Sequence, residues 1–210
     1  MDQIHIPKLV EPIIEGTADY TKGNRLTKTS DMKGMSVWRR LGNSILTMLT
    51  KIASGYYDVM DPQNGYAAIS RKALTTIELD EIYQKYGYCN DLLVKLNVFN
   101  LKVKDIPIPA RYGKEKSKIN YGRYIVKVSW LLLDNFLYRL KMKYIHQGLS
   151  PIPFLLVFGV MLMPIGLLSI LYGNFPLFSN VPSYLMVLLG MLLVLIAIGL
   201  DINNSKILDA

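Results

Sequence analysis

The chain has 210 residues, of which 51% are hydrophobic and 19% are charged, with 24 Lys and Arg against 16 Asp and Glu. This composition excludes an intrinsically disordered protein, and the single cysteine, Cys89, excludes an internal disulfide. No charged residue occurs between Lys143 and Asp201, whereas the part that ends at Lys143 has a net charge of +9. The sequence therefore joins a basic polar part to an apolar part of membrane character.

The elements predicted in the polar part alternate between helix and strand. In chain order they are helix 7–15, strand 18–22, helix 36–53, strand 67–70, helix 71–77, helix 91–98 and strand 102–108. Such alternation is typical of an α/β sheet with helices packed on it.

Three loops gather glycine or proline with residues that bind phosphate or transfer protons. The first, KGNR at 22–25, combines a glycine that permits close backbone approach with an arginine that grips phosphate in bidentate fashion. The second, DPQNGY at 61–66, is a tight turn that presents an aspartate and an asparagine. The third, 106–118, leads from a stiff strand end into a basic loop suited to an anionic headgroup. Ordinary surface turns and a solvated charge run are the alternative interpretation.

An amphipathic helix is predicted over 121–147, because apolar residues such as Ile125, Val128 and Leu132 recur at helical intervals. Basic residues and Trp130 beside this stripe favour a helix that lies in the headgroup layer. A helix packed on the soluble domain is the alternative.

Two apolar runs, 151–171 and 183–202, approach the roughly 20 residues that a helix needs to cross a bilayer. The connection between them is uncharged, and basic residues precede the first run. The positive-inside rule then predicts that the N-terminal domain and the tail 203–210 lie on the cytoplasmic side of the cell membrane.

The loops, their order and the apolar tail together resemble the membrane-associated glycosyltransferase family 2 enzymes, close to the dolichyl-phosphate and polyprenyl-phosphate sugar synthases. The motifs that carry the resemblance are Gly23-Asn24-Arg25, the turn from Asp61 to Tyr66, Tyr88-Cys89-Asn90-Asp91 and the segment from Pro107 to Lys118. The match covers nearly the whole chain.

The resemblance implies an α/β fold with three parts. A partial GT-A-type glycosyltransferase domain over 1–118 is followed by an interfacial amphipathic helix over 119–148 and a two-helix transmembrane hairpin over 149–202. The implied activity is transfer of a sugar from a nucleotide sugar to a polyprenyl or dolichyl phosphate at the membrane.

The roles of individual residues follow from the same resemblance. Arg25 is expected to contact the donor diphosphate, with Arg39 or Arg40 as further candidates, and Asp61 and Asp91 are the candidate catalytic carboxylates. The candidates for the acceptor or lipid phosphate are Asn64, Gly65, Tyr66, Arg111, Ser117 and Lys118. Because a phosphate acceptor is already ionised at pH 7, we expect electrostatic clamping to matter more than a strong general base.

One departure from the family pattern concerns the metal. The full-length family implies Mg²⁺ or Mn²⁺ held by an Asp-x-Asp motif in a nucleotide-binding half, and this chain contains neither that motif nor other identifiable metal ligands. We therefore expect a truncated or split enzyme that depends on a partner carrying the missing half, or on a homo-oligomer.

A second class of function also fits the sequence. A non-catalytic two-span membrane anchor or scaffold that binds anionic lipid or a partner enzyme explains the tail and the basic charge, but not the order of the three loops. Nucleic acid is not an expected partner, because the basic residues are spread along the chain without a recognisable reading helix or RNA motif.

Overall fold

The structure is a computed structural model that describes residues 3–25, 37–109, 121–172 and 182–209. For residues 37–40, 121–123, 172 and 206–209 it describes the backbone alone. The chain divides into two compact units, of which the first extends to Arg139 and the second runs from Leu140 to Ile207.

The first unit is built on a three-stranded mixed sheet with β1 at its centre. Strand β1 (Tyr20–Asn24) pairs antiparallel with β2 (Ala67–Ile69) and parallel with β3 (Val103–Pro107). All five residues of β1 are buried, as expected for a central strand covered on both faces. All three predicted strands are present, but β1 continues two residues beyond the predicted end, through a glycine and an asparagine that are poor strand formers. Its pairing with β3 over the full length of the strand overrides that local preference.

The helices of the first unit match the predicted ones closely. They are α1 (Ile6–Ile14), α2 (Val37–Ser54), α3 (Arg71–Thr76), α4 (Tyr88–Val98) and α5 (Tyr121–Lys141), the last of which crosses the unit boundary. Helix α3 starts where predicted because the Ser70 hydroxyl accepts the Ala73 N–H at 3.0 Å. Helix α4 starts three residues before the predicted position, since Gly87 enters it with a φ of 119° that other residues rarely adopt.

The core of the first unit lies between the sheet and α4. Its buried members are Tyr20, Tyr56, Val59, Ala73, Ile77, Leu93, Leu96, Leu101 and Val103. The Tyr56 hydroxyl donates to the Leu101 carbonyl at 2.5 Å, so this buried polar group has a hydrogen-bond partner. Burial of this apolar set holds β1 and its loops in place.

A second cluster joins α2 to α5. Leu46 and Ala53 of α2 pack against Val128 and Leu132 of α5, and all four side chains are buried. Val128 and Leu132 of the predicted apolar stripe therefore pack on the polar domain, as in the alternative interpretation, whereas Ile125 is exposed; a position of α5 in the headgroup layer stays a prediction. Periodicity alone cannot distinguish a helix face that contacts lipid from one that contacts protein.

A different face of α5 is exposed and also apolar. Val126, Trp130, Leu133 and Leu137 follow one another at intervals of four, three and four residues, and between 45% and 64% of each residue is exposed. These four residues, here called the outer stripe, are large apolar side chains of the kind usually covered by a partner or by lipid.

The second unit contains two helices that are long and apolar enough to cross a membrane. They are α6 (Ile152–Tyr172) and α7 (Ser183–Asp209), preceded by a π-helical turn at Met142–His146. The two helices approach closely, because a Cβ atom at Gly159 would lie 2.7 Å from the Gly190 carbonyl oxygen. The predicted helical pair is present, and α7 continues seven residues beyond its predicted end.

Candidate functional site

Two of the glycine-containing loops meet at the carboxyl end of β1. The Lys22 ammonium donates to the Asn64 carbonyl at 2.7 Å, and the Asn64 amide donates to the Gly23 carbonyl at 2.6 Å. The Gly23 N–H donates in turn to the Tyr66 carbonyl at 2.8 Å. The segment 22–25 and the turn 61–66, about forty residues apart in the chain, thus form one hydrogen-bonded structure.

Arg25 and Asp61 form a bidentate ion pair at this point. Arg25 Nε lies 2.7 Å from Asp61 Oδ2, and Arg25 Nη2 lies 3.1 Å from Asp61 Oδ1. The Arg25 N–H donates to the same Oδ2 at 3.2 Å. The Asp61 side chain is 4% exposed whereas that of Arg25 is 35% exposed. The carboxylate therefore lies inside the protein and orients a guanidinium that is partly exposed to solvent.

A further charged side chain, that of Lys22, is buried near this ion pair. The side chain of Lys22 is inaccessible to solvent, and burial lowers the pKa of its ammonium, although the nearby Cys89, Asp61 and Asp105 oppose that shift. A charge that is buried in a low-dielectric surrounding needs a partner, so removing one of these charged groups leaves the others uncompensated. The charged groups therefore stabilise one another in this arrangement.

Asp105 on β3 belongs to the same cluster, although the sequence analysis did not select it. Its Oδ2 accepts hydrogen bonds from the Asn24 amide at 2.9 Å and from the Met60 N–H at 2.8 Å. Burial, with a smaller contribution from the charge of Asp61, raises the pKa of Asp105 to about 6. The available signal was the one acidic residue in the predicted strand 102–108, next to the loop at 106–118.

The first turn of α4 closes one side of the turn 61–66. The Cys89 thiol lies 3.8 Å from the Asn64 carbonyl oxygen, and a Cβ atom at Gly65 would lie 3.0 Å from the Tyr88 hydroxyl. A hydrogen bond with Cys89, the charge of that group and burial raise the pKa of Tyr88 to about 12. Tyr88 is therefore a neutral hydroxyl at pH 7 that limits the space beside Gly65.

Asp91 lies in the first turn of α4 with a different partner. The residue is 5% exposed, and its Oδ2 accepts the Tyr83 N–H at 2.8 Å. A carboxylate in the first turn also interacts favourably with the helix dipole. This contact gives Asp91 a role in holding the loop before α4, and its catalytic role stays a prediction.

Five of the predicted site residues have no described side chain. Arg39 and Arg40 lie in the first turn of α2, of which only the backbone is described. Arg111, Ser117 and Lys118 lie outside the described residues. Among residues 3–25, 37–109, 121–172 and 182–209, no group of three His, Cys, Asp or Glu side chains is placed to hold a metal ion.

Two curated proteins are similar to this chain over about half of its length. Over 107 residues, 51% of the chain, it is 30% identical to the UDP-N-acetylglucosamine–dolichyl-phosphate N-acetylglucosaminyltransferase of Methanococcus voltae. The chain is similar to a glycosyltransferase. It is also 29% identical over 107 residues to an uncharacterized protein of Methanocaldococcus jannaschii. No family model matches the sequence.

The matched segment covers less than half of each relative. The matched segment covers 42% of the Methanococcus protein and 44% of the Methanocaldococcus protein, so the chain spans less than half the length of the curated relatives it matches. Together with two helices apolar enough to cross a membrane, the similarity supports a relationship to membrane glycosyltransferases in general.

Proposed function

We propose that this chain forms the phosphate-binding part of a membrane glycosyltransferase that transfers a sugar from a nucleotide sugar to a polyprenyl or dolichyl phosphate. The observation that carries the proposal is the bidentate Arg25–Asp61 pair at the end of β1. A guanidinium oriented in this way matches the geometry of two phosphate oxygens. The similarity to a dolichyl-phosphate N-acetylglucosaminyltransferase supports the class of reaction.

The chemistry proposed for this site is electrostatic. In sugar transfer from a nucleotide sugar, negative charge accumulates on the departing diphosphate as the bond from the anomeric carbon to the phosphate oxygen breaks. Arg25 is placed to interact with that charge, and a lipid phosphate is already anionic when it attacks. Asp61 orients Arg25 through two hydrogen bonds to the guanidinium. Lys22 holds the backbone of the turn 61–66 by donating to the Asn64 carbonyl.

The metal implied by the family resemblance has no counterpart among the described residues. Asp61 and Asp105 are engaged with Arg25, Asn24 and the Met60 N–H, and no third candidate ligand joins them in the described part of the chain. The described residues therefore do not fit a Mg²⁺ or Mn²⁺ site, and no step proposed for this chain passes through a metal.

The proposed location of the site is the cytoplasmic surface of a membrane. Helices α6 and α7 are candidates for spanning it, and the outer stripe of α5 adds an exposed apolar face on the first unit. A lipid phosphate carries its charge at the headgroup layer, so a site on a membrane-bound domain meets it there.

The test is incorporation of radiolabelled N-acetylglucosamine from its UDP derivative into dolichyl phosphate extracted with organic solvent. Membranes containing the chain are assayed alone and together with the part of the Methanococcus voltae enzyme outside the matched segment. We expect lipid-bound label that is reduced at least tenfold in Arg25→Ala and Asp61→Asn. In the matched control Lys72→Ala, which breaks an exposed ion pair with Asp19, we expect no reduction. Absence of label in both assemblies, or equal label in all variants, contradicts the proposal.

A further inference from the structure

A single carboxylate oxygen connects the two segments that carry Arg25 and Asp61. Asp105 Oδ2 accepts from the side-chain amide of Asn24, which immediately precedes Arg25, and from the N–H of Met60, which immediately precedes Asp61. Asp105 itself lies on β3, which pairs with β1 up to its last residue. The carboxylate is therefore tied to the sheet and holds both partners of the ion pair by their chain neighbours.

The surroundings of Asp105 make this arrangement sensitive to its charge. Its second oxygen, Oδ1, is buried and has no hydrogen-bond partner among the described residues. The charged groups that face it are the Lys22 ammonium and the Asp61 carboxylate, which act in opposite directions. Burial is the largest influence and raises the pKa of the carboxyl to about 6. Protonation thus occurs near neutral pH and weakens the oxygen as an acceptor for two N–H donors.

We propose that Asp105 is a positioning residue that holds Arg25 and Asp61 in register through Asn24 and the Met60 N–H. The local geometry stands by itself, and its consequence for sugar transfer rests on the proposed function. In its ionised form Asp105 accepts both bonds and fixes the approach of the two segments. In its neutral form the two segments separate more readily, and the guanidinium loses its fixed orientation.

The control for this idea lies at the opposite end of the same strand pair. Asp19 Oδ2 accepts the Lys102 N–H at 3.0 Å just before β1 and β3 begin, so it too joins the two strands by a carboxylate. Substituting Asp19 removes a comparable contact without touching either neighbour of the ion pair. A general loss of stability is therefore separable from a loss of positioning.

The experiment measures exchange of the Arg25 Nε proton with water by ¹H–¹⁵N NMR on the full chain in detergent micelles. The signal is assigned by its disappearance in Arg25→Lys. At pH 7.5 we expect exchange at least tenfold faster in Asp105→Ala, several-fold faster in Asp105→Asn, and within twofold of wild type in Asp19→Ala. Asn keeps the shape and one oxygen acceptor but not the charge, so it reproduces the neutral form of Asp105.

A pH titration keeps the proposal testable where Asp105→Ala does not fold. Exchange is corrected for its intrinsic pH dependence with an exposed arginine as reference. We expect a further acceleration below pH 6 in wild type that is absent in Asp105→Asn. Unchanged protection in Asp105→Ala, or the same acceleration in wild type and Asp105→Asn, overturns the proposal. Because no substrate is used, failure of sugar transfer leaves this result unaffected.

Discussion

Gly23 offers the sharpest test of how tightly the site is packed. A Cβ atom at this position would lie 2.6 Å from Ile108 Cδ1, 3.1 Å from the Tyr66 carbonyl oxygen and 3.2 Å from the Asn64 amide nitrogen. The first distance is far below normal contact, and the other two involve atoms already fixed by hydrogen bonds. Overpacking of this kind costs about 1–3 kcal/mol. In a chain of this size we expect Gly23→Ala to lower the melting temperature by about 3–10 °C.

A double-mutant cycle identifies which contact is responsible. Ile108→Val removes the Cδ1 atom that a new methyl group would meet, at a cost of about 0.5–1.5 kcal/mol on its own. In the presence of Gly23→Ala that cost is offset by relief of the clash, so we expect the two effects to be less than additive by about 1 kcal/mol. Thermal unfolding followed by circular dichroism in detergent provides the four melting temperatures.

Gly148→Ala is the matched control, since a Cβ atom there would meet nothing within 4 Å and should leave the melting temperature unchanged. Equal stability of Gly23→Ala and wild type would refute the packing argument. Strict additivity with Ile108→Val would instead locate the strain at the Tyr66 and Asn64 atoms, against our reasoning about Cδ1.

Three further predictions concern other parts of the chain. Arg139 is fully buried and donates to the Ala53 and Ile52 carbonyls at 2.9 Å each. Thermal unfolding should therefore show that Arg139→Met destabilises the first unit by about 2–5 kcal/mol. The control Lys141→Met, at an exposed position, should leave its stability unchanged. Because the pKa of Asp105 rises from 3.8 to about 6 on folding, the folded state binds that proton more tightly. Stability from this group is present below pH 3.8 and is lost as pH rises through 6, so unfolding of wild type against Asp105→Asn should show a decline in this window that the variant lacks. Trp130 in the outer stripe should show a blue-shifted fluorescence emission in nanodiscs. Replacing Leu133 and Leu137 by Ser should return the emission towards that of an exposed tryptophan. An unshifted emission in wild type would contradict contact with lipid.

The strands, the helices and the apolar pair could be predicted from the sequence because each has a local signal. Helix α3 has a serine cap, and the last two helices have continuous apolar composition. The start of α4 could not be found in this way. It depends on the backbone conformation of Gly87, which no side-chain pattern encodes.

The site was predictable in part, for a physical reason. Arg25 and Asp61 stand out as residues in glycine-containing turns, but their direct pairing depends on the sheet that brings residues 36 positions apart into contact. Asp105 is further still along the chain, and its connection to Asn24 exists only because β3 lies parallel to β1. Long-range strand pairing of this kind leaves no periodic signal in the sequence.

The central claim is that the Arg25 guanidinium binds phosphate and that Asp61 holds it in place. Asp61 orients the guanidinium, because both of its oxygens accept from Arg25. Removing the charge of Asp61 while keeping its shape should therefore loosen the guanidinium and weaken phosphate binding, whereas removing Arg25 should abolish most of it.

The most direct measurement is a titration of pyrophosphate against the purified chain, followed by ³¹P NMR. A charge-assisted hydrogen-bonded contact contributes about 1.5–3 kcal/mol, so we expect the dissociation constant to rise about tenfold or more in Arg25→Ala. We expect it to rise several-fold in Asp61→Asn, less than in Arg25→Ala, and to stay within twofold in Lys72→Ala. Binding to Arg25→Ala with wild-type affinity, or to Asp61→Asn with unchanged or higher affinity, would contradict the account.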